Sequence, residues 1–191
     1  MHDRNETTVR VWDPLVRISH WTLAASCILN LSLLREADDW HIRLGYLALS
    51  VVLVRLAWGF VGTEHARFSD FVRGPRTLLK YIRQMARRQT PRHLGHNPAG
   101  GAMIVLLITL VVVLGVTGWM MGTDMFWGEI WVETVHESAA NVLMACILIH
   151  VSFAVIESVR HRENLILAMI SGRKRRSDKT DIRHAPPADR G

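Results

Sequence analysis

Four histidines lie among apolar residues, and two of them bracket one stretch, VHESAANVLMACILIH, with His136 near its start and His150 at its end. In an α-helix fourteen steps return to within about 40° of the same face and advance about 21 Å. Both imidazoles then look the same way from two heights. Neutral imidazole is a common metal ligand, so this spacing suits two stacked metal centres, each needing a second ligand from elsewhere. His20 and His41 are the candidates for those places. The competing use of such a histidine is an interhelical hydrogen bond.

The elements that must position these side chains are visible as hydropathy. Of 191 residues 49% are hydrophobic, and they collect in four runs, 15–34, 42–61, 99–121 and 135–159. Each run approaches the twenty or so residues that cross a bilayer as a helix. A soluble bundle shows polar residues at every third or fourth position, and these runs show few. The expected fold is an all-α integral membrane four-helix bundle over residues 1–172, followed by a basic, disordered tail over 173–191.

A net charge of +6 could suggest a nucleic-acid partner, but its distribution points to membrane topology instead. The link after the first run is acidic (Glu36, Asp38, Asp39), as is the link carrying Asp124, Glu129 and Glu133. The segment 62–98 is strongly basic, and the tail adds Arg173, Lys174, Arg175 and Arg176. Positive residues mark the inner side, so both termini and the central loop are expected in the cytoplasm, with no nucleic-acid partner. Cys27 and Cys146 lie inside apolar runs, and no C-x-x-C-H motif is present for covalent haem attachment. The first sixteen residues lack the charge pattern of a cleaved leader, so the first helix is expected to anchor itself.

Asp13-Pro14 marks entry into the first helix, with Arg17 on its first turn and His20 one turn later. Trp12 and Trp21 suit an interfacial belt, as do Trp127 and Trp131 at the opposite surface. His41 opens the second helix beside Trp40, and Arg55 follows fourteen residues on. An intramembrane arginine is costly, so it pairs with an anion or snorkels to the interface. From Pro75 to about residue 88, Leu78, Leu79, Ile82, Met85 and Ala86 recur at helical spacing among basic residues. This predicts an amphipathic helix on the anionic inner surface, or else a protein-docking helix. His93 and His96, just before Pro98, are expected in solvated or headgroup positions. In the third helix Gly100, Gly101, Gly115 and Gly118 let a neighbouring helix or a flat cofactor approach.

Topology sorts the four histidines by depth: His20 and His150 in the cytoplasmic half, His41 and His136 near the outer surface. Two axial nitrogens per level match a six-coordinate haem iron, whose other ligands are the porphyrin's own nitrogens. A bare zinc or copper site wants three or four protein ligands. Each candidate is followed at i+4 by a small residue, Ala24, Gly45, Ala140 or Ala154, which gives a macrocycle clearance for packing. Arg17 and Arg55 stand at the depth of the inner haem's propionates, and Arg43 and Arg35 are the candidates for the outer one.

RVWDPLVRISHW, His41 with Gly45 and Arg55, and VHESAANVLMACILIH resemble the bacterial cytochrome b561 family, which includes the b-type cytochrome subunits of nickel-iron hydrogenases. The resemblance runs from Val11 to about Arg173. It implies four transmembrane helices holding two haem b groups by paired histidines, His20 with His150 and His41 with His136, the pairing that depth also suggests. It further implies electron exchange with a quinone in the bacterial inner membrane. One branch of the family oxidises superoxide and reduces ubiquinone; this chain departs from that branch in its HNPAGG segment and its shorter outer link.

The expected function is therefore a dihaem b-type cytochrome carrying electrons between the quinone pool and a redox partner, either a dehydrogenase or hydrogenase subunit or a cytochrome c. The alternatives are a stand-alone superoxide oxidase and, in another class, a channel or metal carrier using the four histidines. Two nitrogen ligands per iron leave no open position for oxygen. His96 and Lys80 are candidates near the quinone, and the acidic outer link is a candidate surface for a basic cytochrome.

Overall fold

The computed structural model describes residues 8–33, 39–87, 89–176 and 181–182, and these are mostly helical. Strand β1 (Thr8–Arg10) is followed by α1 (Pro14–Ser32) and α2 (Asp39–Val61). A 3-10 turn (Glu64–Ala66), α3 (Phe68–Phe71) and α4 (Pro75–Ala86) come next. Then come α5 (Pro98–Met121), α6 (Ile130–His161), α7 (Leu165–Ser171) and β2 (Arg173–Arg175).

Among the described residues three helices, α2, α5 and α6, are long and apolar enough to cross a membrane. At 1.5 Å per residue the 23 residues of α2 and the 24 of α5 exceed a hydrocarbon core about 30 Å thick. α6, with 32 residues, extends well past it. α1 has 19 residues and carries Arg17, His20 and Asn30, so it is less apolar.

The starts of the helices follow from local chemistry. The Asp13 carboxylate accepts the Val16 N–H at 2.9 Å ahead of Pro14, and Asn97 accepts the Gly100 N–H at 2.7 Å ahead of Pro98. Both are side-chain caps on helices that begin with proline, whose missing N–H costs nothing there. Asp13 also accepts from Trp58 Nε1 (3.0 Å) and the Thr63 hydroxyl (2.6 Å). Burial opposes its ionisation, yet these donors outweigh it and hold the carboxyl below its usual range.

The chain divides into two compact units. The second (Ile18–Ala57, Leu106–Ile149) is built from segments of the four long helices. Its core is Ala48 and Val52 of α2, Val111 of α5 and Leu143 of α6, with Leu23, Cys27 and Leu31 of α1 against them. At Gly115 a Cβ would fall 2.8 Å from Leu49 Cδ1, so this glycine serves close approach of α5 to α2.

The first unit (Met1–Arg17, Trp58–Val105, His150–Gly191) gathers the connecting segments. β1 pairs antiparallel with β2, Thr8 opposite Arg175. α7 ends at Gly172, in the left-handed region at φ 78°, whose carbonyl accepts the N–H groups of Val11 (2.9 Å) and Trp12 (3.1 Å). A side chain at Gly172 would also meet the Trp12 carbonyl at 2.7 Å, so both backbone and space require glycine. The basic segment beyond residue 172, expected to lack structure, thus begins as a strand. Most of the remaining tail lies outside the described residues.

Two further expectations give way in this unit. Trp12 is not a lipid-facing belt residue: it is 5% exposed, packed with Val11 and Leu94 and covered by the Lys174 ammonium at 5.4 Å. His96 is not solvated, because its ring lies 4.4 Å from Trp12 and 4.8 Å from Phe71. His93 is also drawn in, 5.6 Å from the Tyr81 ring. β2 covers Trp12, Trp12 and α3 flank His96, and α4 approaches His93, and none of these contacts is local in sequence. Trp21, Trp127 and Trp131 remain exposed.

Arg92 is the polar centre of the unit. Its guanidinium donates twice to Glu163 (3.0 and 2.7 Å), once to Asp181 and once to the Arg175 carbonyl (2.8 Å). Burial disfavours charge on Glu163, but Arg92 and the Arg175 N–H outweigh it and hold the carboxyl low. Lys174, buried beside this network, has its ammonium pushed down to about 8, chiefly by burial.

Candidate functional site: a paired-histidine centre

In the second unit α2 and α6 bring His41 and His136 face to face. Their ring centroids are 6.2 Å apart with planes at 55°. Two collinear metal–nitrogen bonds of about 2 Å, plus about 1.1 Å from each nitrogen to its ring centre, would separate two imidazole centroids by about 6.2 Å. Rotation of each ring about that axis leaves the interplanar angle free. The pair therefore stands at the separation needed to hold one metal ion axially between two rings. Among the described residues no group of three or more His, Cys, Asp or Glu side chains gathers into a metal site. Two protein nitrogens alone fit a metal whose equatorial ligands arrive with it, as in haem.

Supporting groups orient both rings. The Thr117 hydroxyl donates to the Val113 carbonyl at 2.8 Å, and its oxygen lies 2.9 Å from His136 Nδ1. Because that hydroxyl proton is engaged, Thr117 accepts from Nδ1–H, which leaves Nε2 deprotonated and available as a ligand. Asn30 on α1 donates to the His41 carbonyl at 3.2 Å and so ties the first turn of α2 in place. At Gly118 a Cβ would sit 3.4 Å from His136 Cε1, so this glycine lies directly beside the ring. A Cβ at Gly45 would meet only Asn30 Nδ2, at 4.0 Å. The face of α2 one turn beyond His41 is thus open, as clearance for a macrocycle requires.

Thr117 and Asn30 were not singled out from the sequence. The available signal was a polar residue isolated within an apolar run, and for Thr117 its position next to Gly118.

The other sequence candidates fall as follows. His20 on α1 is half-buried in the second unit, edge-on to Trp21 at 5.1 Å. His150 on α6 is half-buried in the first unit. α6 runs unbroken through both of its histidines, so their spacing of fourteen keeps its helical meaning. Ala24, Gly45, Ala140 and Ala154 are all half-buried. Arg55 is buried within α2, 6% exposed. Arg17 donates to the Ile170 carbonyl and lies against Gly172, so it helps to seat α7. Arg43 stacks over Trp40 at 5.5 Å, and Arg35 lies outside the described residues. Lys80 is exposed on α4.

α4 forms where the sequence predicts it, but its apolar positions divide. Tyr81 is buried, Leu78 and Met85 are half-buried, and Leu79 and Ile82 stay exposed beside Arg76, Lys80, Arg83 and Arg87. An exposed apolar strip bordered by cations suits an anionic lipid interface.

The family profile described as prokaryotic cytochrome b561 matches residues 11–172. Several proteins named probable Ni/Fe-hydrogenase B-type cytochrome subunit are similar to the chain along most of its length. The one from Bradyrhizobium diazoefficiens is 29% identical, with 90% of this chain and 87% of the relative covered. The one from Azotobacter vinelandii is 27% identical, with 93% of each covered. That from Rhizobium leguminosarum bv. viciae is 25% identical, with 91% of this chain and 92% of the relative covered. No solved structure matches the chain.

Proposed function

The chain belongs to the prokaryotic cytochrome b561 family, and from that premise we propose that it is a dihaem b-type cytochrome carrying electrons between a redox partner and a membrane quinone. A membrane b-type cytochrome that carries electrons is the common ground of the family and of the hydrogenase subunits it resembles. The finer reading has two haems, four spans with both termini in the cytoplasm of a bacterial inner membrane, and a hydrogenase as partner. The observation that carries it is the separation of 6.2 Å between the His41 and His136 rings.

Haem b, when bound, supplies a one-electron couple at an iron whose potential its surroundings tune. The chain does the rest. His41 and His136 would hold one iron, with Thr117 fixing the tautomer of His136 and Gly45 leaving room beside His41. His20 and His150 would hold the second, with Ala24 and Ala154 as the small neighbours one turn on. Arg55, buried on α2, and Arg17, at the entry to α1, provide positive charge for the second haem's propionates. Along α6 the two ligands stand about 21 Å apart, so no moving part is needed to pass an electron from one level to the other. With two histidines given to each iron, this arrangement would leave no coordination position for dioxygen.

The test is a pyridine haemochrome count with a reduced-minus-oxidised spectrum on the purified chain. Two haems per chain are expected. His41→Ala and His136→Ala should each remove the same component of the α band, and His20→Ala and His150→Ala the other. One haem per chain, or band loss that pairs His41 with His150, would refute the assignment.

A further inference from the structure

Reducing a quinone to a quinol takes two protons as well as two electrons, and histidines committed to iron supply none. In the first unit one buried acid stands where a donor is needed. Glu157 lies on α6 seven residues beyond His150, two turns along and within about 20° of the same face. It is 4% exposed. Among the described residues no donor reaches Oε1 within hydrogen-bond distance, and Arg160 Nη1 stands off at 3.9 Å. Oε2 lies 3.3 Å from His161 Nε2, another buried atom with no hydrogen-bond partner among the described residues. The His161 side chain as a whole is 18% exposed, against 5% for that of Glu157. A buried carboxylate oxygen left without a donor is costly, and ionisable groups on spanning helices are chiefly functional.

The groups facing this pair come from three further segments. Tyr81 approaches from α4, its phenol pushed up chiefly by burial. Lys174 approaches from β2. His93 faces His161 from the segment before α5, and burial pushes its imidazole down. The basic segments 62–98 and 173–176 belong to this same unit, so by charge it is the cytoplasmic end of the chain.

We propose that Glu157 and His161 form the proton inlet of a quinone-reducing site at the His150 end of α6. This rests on the quinone reading above. For each electron that reaches the quinone from the reduced partner by way of the cytochrome, the Glu157 carboxyl O–H breaks and an O–H forms on a quinone carbonyl oxygen. The carboxylate left behind takes a proton from His161, which takes one from solution. Two such transfers balance two electrons and yield the quinol.

The experiment uses the haem-loaded full chain, reduced with dithionite, freed of excess reductant and mixed with either decylubiquinone or ferricyanide. Ferricyanide takes an electron without a proton. Glu157→Gln should slow reoxidation by the quinone about 100-fold while reoxidation by ferricyanide and haem content match the wild type. His161→Gln should slow only the quinone reaction, and added imidazole should restore it. A redox-difference infrared spectrum should contain a protonated-carboxyl band that shifts in D2O and is missing from Glu157→Gln. Quinone reoxidation of Glu157→Gln at the wild-type rate would overturn the proposal. So would equal slowing with both oxidants, which would make Glu157 a structural support. A wild type that ferricyanide oxidises and the quinone does not would overturn the quinone reading itself, and the inlet with it.

Discussion

Replacing Thr117 with valine keeps the shape of the side chain and deletes the hydroxyl oxygen that lies 2.9 Å from His136 Nδ1. Thr117 is 5% exposed, so water has little access to replace the lost acceptor. If Nε2 holds iron, as proposed, the ring carries its proton on Nδ1, and that N–H then loses its hydroxyl acceptor. A buried donor without a partner costs about 1–3 kcal/mol, and loss of a supporting hydrogen bond to a metal-ligating histidine weakens metal affinity about 10- to 100-fold. The two estimates agree, since a tenfold change corresponds to about 1.4 kcal/mol. The assay is a haem titration of apoprotein in detergent, following the Soret band, with His20→Ala as background so that only the outer site fills. Thr117→Val should bind about 10- to 100-fold more weakly, and Thr117→Ser should stay near the parent. If Thr117→Val bound as tightly as the parent, the tautomer argument would be wrong and His136 would be held by something else.

Two predictions concern the first unit. Arg92→Met leaves Glu163 and Asp181 buried without their guanidinium and should cost about 3–5 kcal/mol of unfolding free energy, read by chemical denaturation in detergent; a cost under about 1 kcal/mol would mean that the network is slack. For Lys174 the folded-state value, about 8, lies below the ordinary 10.5. Between these limits the unfolded chain binds the proton and the folded chain does not, so stability rises with pH across that window, and the cost of the buried charge is full below about pH 8. The thermal midpoint of the wild type should therefore climb between pH 8 and 10 relative to Lys174→Met, and parallel curves for the two proteins would refute the assignment.

Periodicity made most of the long helices legible. Runs 15–34, 42–61 and 99–121 match α1, α2 and α5 to within a few residues, because apolar length and the Asp13-Pro14 and Asn97-Pro98 starts are local signals. α6 is longer than its run at both ends, since polar Glu133 and Thr134 at one end and Arg160 and His161 at the other continue the helix beyond the apolar stretch. The approach of the His41 and His136 rings was anticipated from spacing along one helix and from alternating loop charge. Long-range side-chain chemistry was not legible. Arg92 and Glu163 are 71 residues apart, and no local pattern says that they share an ion pair. Trp12 reads as an interfacial tryptophan until β2 is known to fold back over it. Glu157 was passed over because it stands near the end of a helix, where a carboxylate is ordinarily solvated, and only packing reveals that it is enclosed.

The clasp between β1 and β2 imposes a timetable on biosynthesis. Thr8 leaves the ribosome 167 residues ahead of its partner, Arg175 (175 − 8). At about 5–20 residues per second the first strand waits roughly 8–33 s for the second. By contrast every residue of the second unit has been made once Ile149 is added, so His41 and His136 can meet while the chain is still being threaded into the bilayer. On this timetable His41 and His136 can come together before the β1–β2 clasp closes. A chain truncated before Arg173 should then still acquire its outer haem, while its first strand stays unpaired.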